Sequence, residues 1–475
     1  MQPGSSPQHP APAVVVVGGG IAGLATAYEL HTRGLSFVVL EQARRPGGVV
    51  LSEEIDGFVV DAGPDALLTQ KPEAIRLCQE LGLGERLVAT RPPRIAYIQR
   101  GGRLHPLPAA SVLGIPTKFG PFIRTRLFSW AGKLRMGAEL FVPPKHDDAD
   151  ESIGAFITRR FGREATTYLA EPLLAGIHAG DVDRLSVRAL FPRFVEAERR
   201  HGSLLRAFRA APHARRAGKP ETGSADGVFR SLPRGLSELV EALTRVLPPD
   251  AIRLGTAVAR IERDAASGDY VIHTSDHGSI RARAVVSAAP AYAAASILAD
   301  LDAELSRLCG EVPYASAGTV ALAFDRDAIA RPLVGSGFVV PRAEGTGILA
   351  ASWLSSKWPH RAPEGRVLMR TFVGGARDPG ALERTDEELV SRSLDALRPF
   401  VGIQGAPLFT RVYRWIRANA QHEVGHLDRL AAIDRALARH PGLFVTGSGF
   451  RGVGVPDCVA DGRATGRAVA EFLTR

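Results

Sequence analysis

Four consecutive valines, Val14 to Val17, run directly into Gly18, Gly20 and Gly23 and then into the helix-favouring stretch Ile21-Ala22-Gly23-Leu24-Ala25-Thr26-Ala27. Glycines at that spacing between an apolar strand and a helix form the turn of a dinucleotide-binding βαβ unit. Gly18 permits the tight turn, Gly20 lets backbone N–H groups approach a pyrophosphate at the helix N-terminus, and Gly23 lets helix and strand pack closely. A second strand is expected over Phe37 to Leu40. Glu41 closes it, and its carboxylate is placed to hold an adenosine ribose hydroxyl. An ordinary glycine bend requires neither the second strand nor the acid.

After Glu41 and Gln42 comes Gly47-Gly48, a pair that would bring a second stretch of backbone against the cofactor's phosphates and favours FAD. Near the C-terminus Leu443 to Val445 read as a strand, and Gly447, Gly449 and Gly452 repeat the first spacing. A complete second unit would need a further strand and acid, so this segment is expected to serve the same cofactor. Pro456 is expected to be the first residue of the last helix, with Val453-Gly454-Val455 leading in and a positive helix end aimed at the flavin. One dinucleotide unit leaves no nicotinamide site to reoxidise a flavin, which points to O2 or a quinone as electron acceptor. Only Cys78, Cys309 and Cys458 occur, without a C-x-x-C, which argues against a disulfide reductase.

The 475 residues predict two or three domains, and a hydrophobic content of 45% is ample for their cores. The three scattered cysteines fit a reducing compartment, so a cytoplasmic protein is expected. Met1 to Pro12 lacks a signal-peptide layout and reads as a short tail, and no stretch is apolar enough for a transmembrane helix. The net charge of +9 is uneven: residues 91–220 hold 23 Lys/Arg against 11 Asp/Glu. Within residues 91–140 the basic side chains interleave with aromatic and apolar ones, the pattern of a segment that lies on an anionic membrane or surrounds an acidic ligand. A solvated basic face is the plainer alternative. No nucleic-acid motif supports nucleic acid as a partner.

Along the chain, a helix is expected over Pro72 to Val88 and a hairpin over Arg94 to Leu107, turning at Gly101-Gly102. Ser111 to Phe208 is helix-rich, and Ala211 to Gly227 reads as a polar connection. A helix follows over Gly235 to Leu247, then strands around Thr256 to Arg263, Tyr270 to Ser275 and Ala284 to Ala288. A strand-rich region over Ala317 to Gly374 and a helix over Arg384 to Pro399 precede a return at Arg411. This interleaving gives an α/β and α+β fold: a discontinuous Rossmann-type FAD-binding domain (13–71, 226–297, 410–475), a substrate-binding domain (72–110, 298–409) and a helical, membrane-associating domain (111–225).

Several segments carry a resemblance that spans nearly the whole chain. Ala62 to Pro72 (AGPDALLTQKP), Glu171 to Pro192 (EPLLAGIHAGDVDRLSVRALFP), GVFRSLPRGLSELVEAL, Trp353 to Gly375 (WLSSKWPHRAPEGRVLMRTFVGG), VYRWIRANAQHEVGHLDR and GSGFRGVGVPDC together resemble the oxygen-dependent, FAD-containing protoporphyrinogen oxidases of the flavin amine oxidase-like superfamily. Two departures stand out. The family commonly has Met-Pro-Gln-Tyr before Val-Gly-His, where this chain has Asn419-Ala420-Gln421-His422, and Ser448 replaces the usual Asn or Ala before the last glycine motif.

The resemblance implies FAD contacts from Gly18, Gly19, Gly20, Ile21, Ala22 and Gly23, from Glu41, Gln42 and Gly48, and from Gly63, Pro64, Asp65 and Ala66. Val258, Trp415, Gly447, Val453, Gly454 and Val455 complete that set. It further implies an apolar cavity for a tetrapyrrole, with Arg94 placed for a propionate and Gly176, Leu333 and Trp358 as walls. A surface arginine is the plainer reading of Arg94. No Ser-His-Asp or metal-ligand spacing appears. Asp65 and His178 are the nearest polar candidates for proton transfer, the first better read as a structural acid and the second as a wall residue.

The implied reaction is a six-electron oxidation of protoporphyrinogen in three hydride transfers to the flavin. Coproporphyrinogen III oxidation is the nearest alternative, and the motifs do not separate the two. An amine oxidase or a carotenoid desaturase is more distant; a flavin-bound scaffold without turnover belongs to another class altogether. A homodimer and peripheral contact with the cytoplasmic membrane are compatible with the chain.

Overall fold

A computed structural model describes residues 12–107, 111–112, 115–116, 119–145, 147–208 and 227–475. The polar connection expected over Ala211 to Gly227 lies outside them except for Gly227, and so does the N-terminal tail except for Pro12.

An unbroken valine run tolerates burial on both faces, the situation of a central parallel strand. Val14–Val17 is the middle of a five-stranded parallel sheet ordered Ile252–Leu254, Phe37–Glu41, Val14–Val17, Ala284–Ser287, Leu443–Val445. Successive side chains of a strand point to opposite faces. Val14 and Val16 accordingly join a core with helices Ile21–Thr32, Ser237–Val246 and Val455–Leu473, while Val15 and Val17 join one with helices Ala291–Leu298, Ala303–Gly310 and His426–Leu437. The first and last helices touch backbone to backbone: a Cβ at Gly462 would stand 2.3 Å from the Ala22 carbonyl oxygen. Thr26 Oγ1 donates across this contact to Gly462 O at 2.9 Å. The last helix starts at Val455, so Pro456 is its second residue rather than its first.

A second sheet of seven strands runs Phe409–Ala420, Tyr314–Asp325, Arg366–Gly374, Ala350–Ser352, Gly337–Val339, Ala96–Arg100, Arg103–Pro106. Only the Gly337–Val339 and Ala96–Arg100 pair is parallel. The expected hairpin is present, and Gly101 and Gly102 both take the positive φ, 56° and 67°, that its two-residue turn needs. Residue alternation gives this sheet two distinct faces. Val367, Met369 and Val373 pack towards helix Asp386–Val401, whereas Leu368, Arg370 and Phe372 point the other way, towards the segment around Asp61 and Gly63 and the helix carrying Ala175.

One boundary differs from the sequence-based division. Residues 410–475 are expected in the cofactor domain, yet Phe409–Ala420 is hydrogen-bonded along the long strand Tyr314–Asp325 of the seven-stranded sheet. The chain rejoins the first sheet only at Leu443–Val445. Strand periodicity identifies a strand but not its partner.

Helices Trp130–Gly137, Ile153–Phe161, Glu171–His178 and Pro192–His201 enclose a separate aromatic-rich core that includes Phe128, Phe156, Phe161 and Phe194. Ser129 and Ser152 cap the first two of these helices by accepting from N–H groups three residues on. Inside this unit Arg160 is fully buried and pairs with Glu139, also fully buried, and with Glu198 at 3.1 Å. Among the described residues no helix is long and apolar enough to cross a membrane.

Candidate active site

The glycine turn is built as its spacing demands. Gly18 has φ 106°, and a Cβ at Gly23 would lie 2.0 Å from the Gly18 carbonyl oxygen, so only glycine fits there. The Glu41 carboxylate accepts from Gly19 N–H at 2.6 Å and from Ala43 N–H at 2.8 Å, one bond to each oxygen. Each oxygen retains a lone pair for a hydroxyl. Thr256 N–H donates to Glu41 O, which brings the start of strand Val258–Arg263 to the same edge. Gln42 is exposed beside it.

Three distant segments close on this turn. Gly47 N–H donates to Gly19 O at 2.8 Å, and a Cβ at Gly48 would touch Gly20 Cα. Gly63 has no room for a side chain, since a Cβ would lie 2.0 Å from Val49 O, and Trp415 donates its indole N–H to Ala62 O at 2.9 Å next to it. Gly447 rests over Ala22 and Ala288. At the start of the last helix Gly454 N–H donates to Asp457 at 3.3 Å, and Lys71 pairs with the same carboxylate at 2.6 Å.

Gly20 tests whether a ligand fits. It is the N-cap of helix Ile21–Thr32 with no side-chain cap, it has ordinary extended dihedrals, and a Cβ there would meet nothing within 4 Å. Neither backbone strain nor protein packing requires glycine at this position. A diphosphate drawn against the helix N-terminus would.

Asp65 is gripped from three sides: Lys357 Nζ lies 2.5 Å from Oδ2, Trp358 Nε1–H donates to Oδ2 at 2.7 Å, and Arg370 Nη2 lies 2.8 Å from Oδ1. Burial alone would raise its pKa, but Lys357 and Arg370 outweigh it and hold the carboxyl far below the usual carboxylate range. A carboxylate so stabilised is a poor base, so Asp65 is a structural acid. Trp358, expected to line the substrate cavity, is completely buried and serves this cluster instead. Leu333, the other expected wall, packs on the face of the seven-stranded sheet that helix Asp386–Val401 covers, away from Asp65.

His178 ends helix Glu171–His178 and is half-buried. Burial, reinforced by Lys71, lowers its pKa to about 4, so the ring is neutral near pH 7 and only weakly basic. Gly176, two residues earlier, lies against Val339 and Ala350 of the seven-stranded sheet. Gln421 donates to the His178 carbonyl at 3.0 Å. Next to it His422 and His426 stack at 3.8 Å between ring centroids, their Nε2 atoms 2.9 Å from Ser448 O and Phe450 O of the last glycine loop. Burial pushes His422 down to about 3 and lowers His426 as well. Arg94 is exposed, its Nε donating to Thr90 O at 3.0 Å with Gly227 packed against it. Lys71, Asp457, Lys357 and Arg370 carry no sequence signal beyond their place within the family-like segments, and His422 and His426 stand out only at the departure from the family's Met-Pro-Gln-Tyr pattern.

A doubly wound parallel sheet with a glycine cradle at its carboxyl edge, closed by segments from across the chain, defines a dinucleotide-binding protein. The chain matches the flavin containing amine oxidoreductases over residues 21–470 and belongs to that family; it is an FAD-dependent oxidase. It is 36% identical over 468 residues to a coproporphyrinogen III oxidase of Bacillus subtilis (strain 168), covering 97% of this chain and 98% of that one. It is 30% identical to a chloroplastic protoporphyrinogen oxidase of Nicotiana tabacum, covering 97% of this chain and 86% of that one. A crystal structure of a candidate protoporphyrinogen oxidase from Exiguobacterium sp. 255-15 superposes with a TM-score of 0.85 at 33% identity, over 97% of this chain and 99% of that one.

Proposed function

We propose that the chain oxidises a porphyrinogen to the porphyrin in three two-electron steps, with coproporphyrinogen III as the preferred substrate. FAD, when bound, supplies the hydride acceptor at each step. The preference rests on one observation, the near full-length likeness at 36% identity to the Bacillus subtilis coproporphyrinogen III oxidase. Protoporphyrinogen IX, the substrate favoured by the sequence reading, is the second reading, and the plant relatives at about 30% identity support it. Over the three steps three bridging carbons each lose a hydride, and the three protons released come from two pyrrole nitrogens and the fourth bridging carbon; O2 or a quinone takes the electrons onward.

The chain's own part in this reaction is holding and shielding. Gly18 to Gly23, Glu41, Gly48, Gly63, Trp415 and Gly447 are assigned to the cofactor, as are Val258 and Val453 to Val455. Arg94 is assigned to a propionate. Asp65, fixed as an anion between two cations, is too weakly basic to take a pyrrole proton, and His178, lowered to about 4, is assigned to the cavity wall. The five-stranded sheet carries the cofactor, and the seven-stranded sheet with the helical unit encloses the substrate. Mixing the FAD-loaded protein anaerobically with each porphyrinogen tests the reading. Rapid bleaching of the flavin is expected, whereas an unbleached flavin with both substrates would refute it.

The helical unit is proposed to rest on an anionic membrane. Trp130, Leu134 and Phe141 are 69%, 74% and 84% exposed, Ile123 is half exposed, and Lys133 lies over the Trp130 ring. Apolar side chains interleaved with Arg124, Arg126, Lys133 and Arg135 suit a lipid surface of negative charge.

A further inference from the structure

Below the Gly63–Asp65 segment lies a charge cluster that does not cancel. Asp61 and Arg361 are both completely buried and pair at 3.0 Å. Asp65 pairs with two cations, Lys357 and Arg370. Arg370 is additionally fixed by donating to the carbonyls of Asp61 at 2.5 Å and Gly63 at 2.8 Å. Three cations thus face two carboxylates. Arg361 and Arg370 are at most 1% exposed, while Lys357 at 14% and Asp65 at 12% sit at the boundary between this core and the accessible segment Gly63 to Ala66.

Lys357 is redundant for holding Asp65. Without it the carboxylate keeps the Arg370 pair and the Trp358 N–H bond. Lys357 is the residue that makes the cluster cationic overall, and a partly buried surplus charge is screened far less than one on the surface. Reduction adds negative charge to a flavin, so a fixed positive cluster favours the reduced form.

We propose that Lys357 is a positioning residue that acts through Asp65 to raise the reduction potential of FAD bound beside Gly63–Asp65. The inference rests on the flavin assignment and is independent of which porphyrinogen is oxidised.

The test is the midpoint potential of the FAD-loaded protein, measured anaerobically against a reference dye with no substrate present. In Lys357→Met the ratio of reduced to oxidised flavin at a fixed potential is expected to fall about tenfold, a shift of roughly 30 mV for two electrons. Lys357→Arg should restore the original value, and Asp65→Asn should move it the opposite way. An FAD-replete Lys357→Met protein with an unchanged potential would overturn the proposal, and so would failure of the Lys357→Arg variant to restore it. Loss of FAD from both Lys357→Met and Asp65→Asn would overturn it too, because the cluster would then be a purely structural requirement. All of these readings stand apart from turnover, so an inactive enzyme would count against the proposed substrate and leave this inference intact.

Discussion

At Gly20 the backbone has φ −68° and ψ 175°, a conformation open to any residue, and the space where a Cβ would project is empty. Gly20→Ala is therefore expected to leave the stability of the FAD-free protein within about 0.5 kcal/mol while weakening FAD binding markedly. Unchanged FAD affinity by titration would mean that the diphosphate lies elsewhere. His422 supports a second prediction at this scale. Its pKa is depressed to about 3 in the folded protein and is near 6.5 in the unfolded chain, so below pH 6.5 the unfolded state binds the extra proton. Its contribution to stability is complete at neutral pH and is lost as pH falls from 6.5 towards 3, on the order of 2 kcal/mol by pH 5. His422→Tyr should flatten the difference between denaturant midpoints at pH 7 and pH 5; an equal difference in both proteins would contradict this. His178, lowered to about 4, acts in the same direction. Single residues were legible in the sequence where their partners are local. Gly18 to Gly23 and Glu41 lie within one strand–helix–strand unit and could be read from spacing. Lys357 and Arg370 are 292 and 305 positions from the Asp65 they neutralise, and no spacing rule reaches that far.

Among the elements, the first and last helices pack together beside the proposed cofactor cradle. Their contact requires Gly462, whose Cβ would meet main-chain atoms of Ala22 rather than a side chain able to move. Gly462→Leu should separate the two helices, lower stability by at least about 2 kcal/mol and release FAD. A variant of normal melting temperature that retains FAD would contradict this packing account. Most elements were visible in the sequence: the strand Leu443–Val445 lies where expected, and the expected helix at Gly235 to Leu247 is Ser237–Val246. What escaped was sheet membership. Phe409–Ala420 reads as a strand from its composition, but its pairing with Tyr314–Asp325 is fixed by contacts across about a hundred residues, which left the 410 boundary in the wrong sheet. Apolar character likewise does not reveal which face of a sheet a side chain occupies, and Leu333 packs on the face that helix Asp386–Val401 covers.

Across the whole molecule, the basic excess of residues 91–220 and the exposed Trp130, Leu134 and Phe141 coincide in the helical unit. Binding to vesicles containing anionic lipid should be strong at low salt and fall steeply at high salt, because the electrostatic share is screened. Trp130→Ala with Leu134→Ala should weaken what remains at high salt. Absence of binding at low salt would remove the membrane from the account. The central claim is that the two sheets together hold FAD and a porphyrinogen. Its most direct test is aerobic turnover of the purified FAD-loaded protein on coproporphyrinogen III and protoporphyrinogen IX in parallel, following porphyrin fluorescence against a control without enzyme. Fluorescence rising well above the control, faster with coproporphyrinogen III, is the predicted result. Rates no higher than the control with both substrates would contradict it.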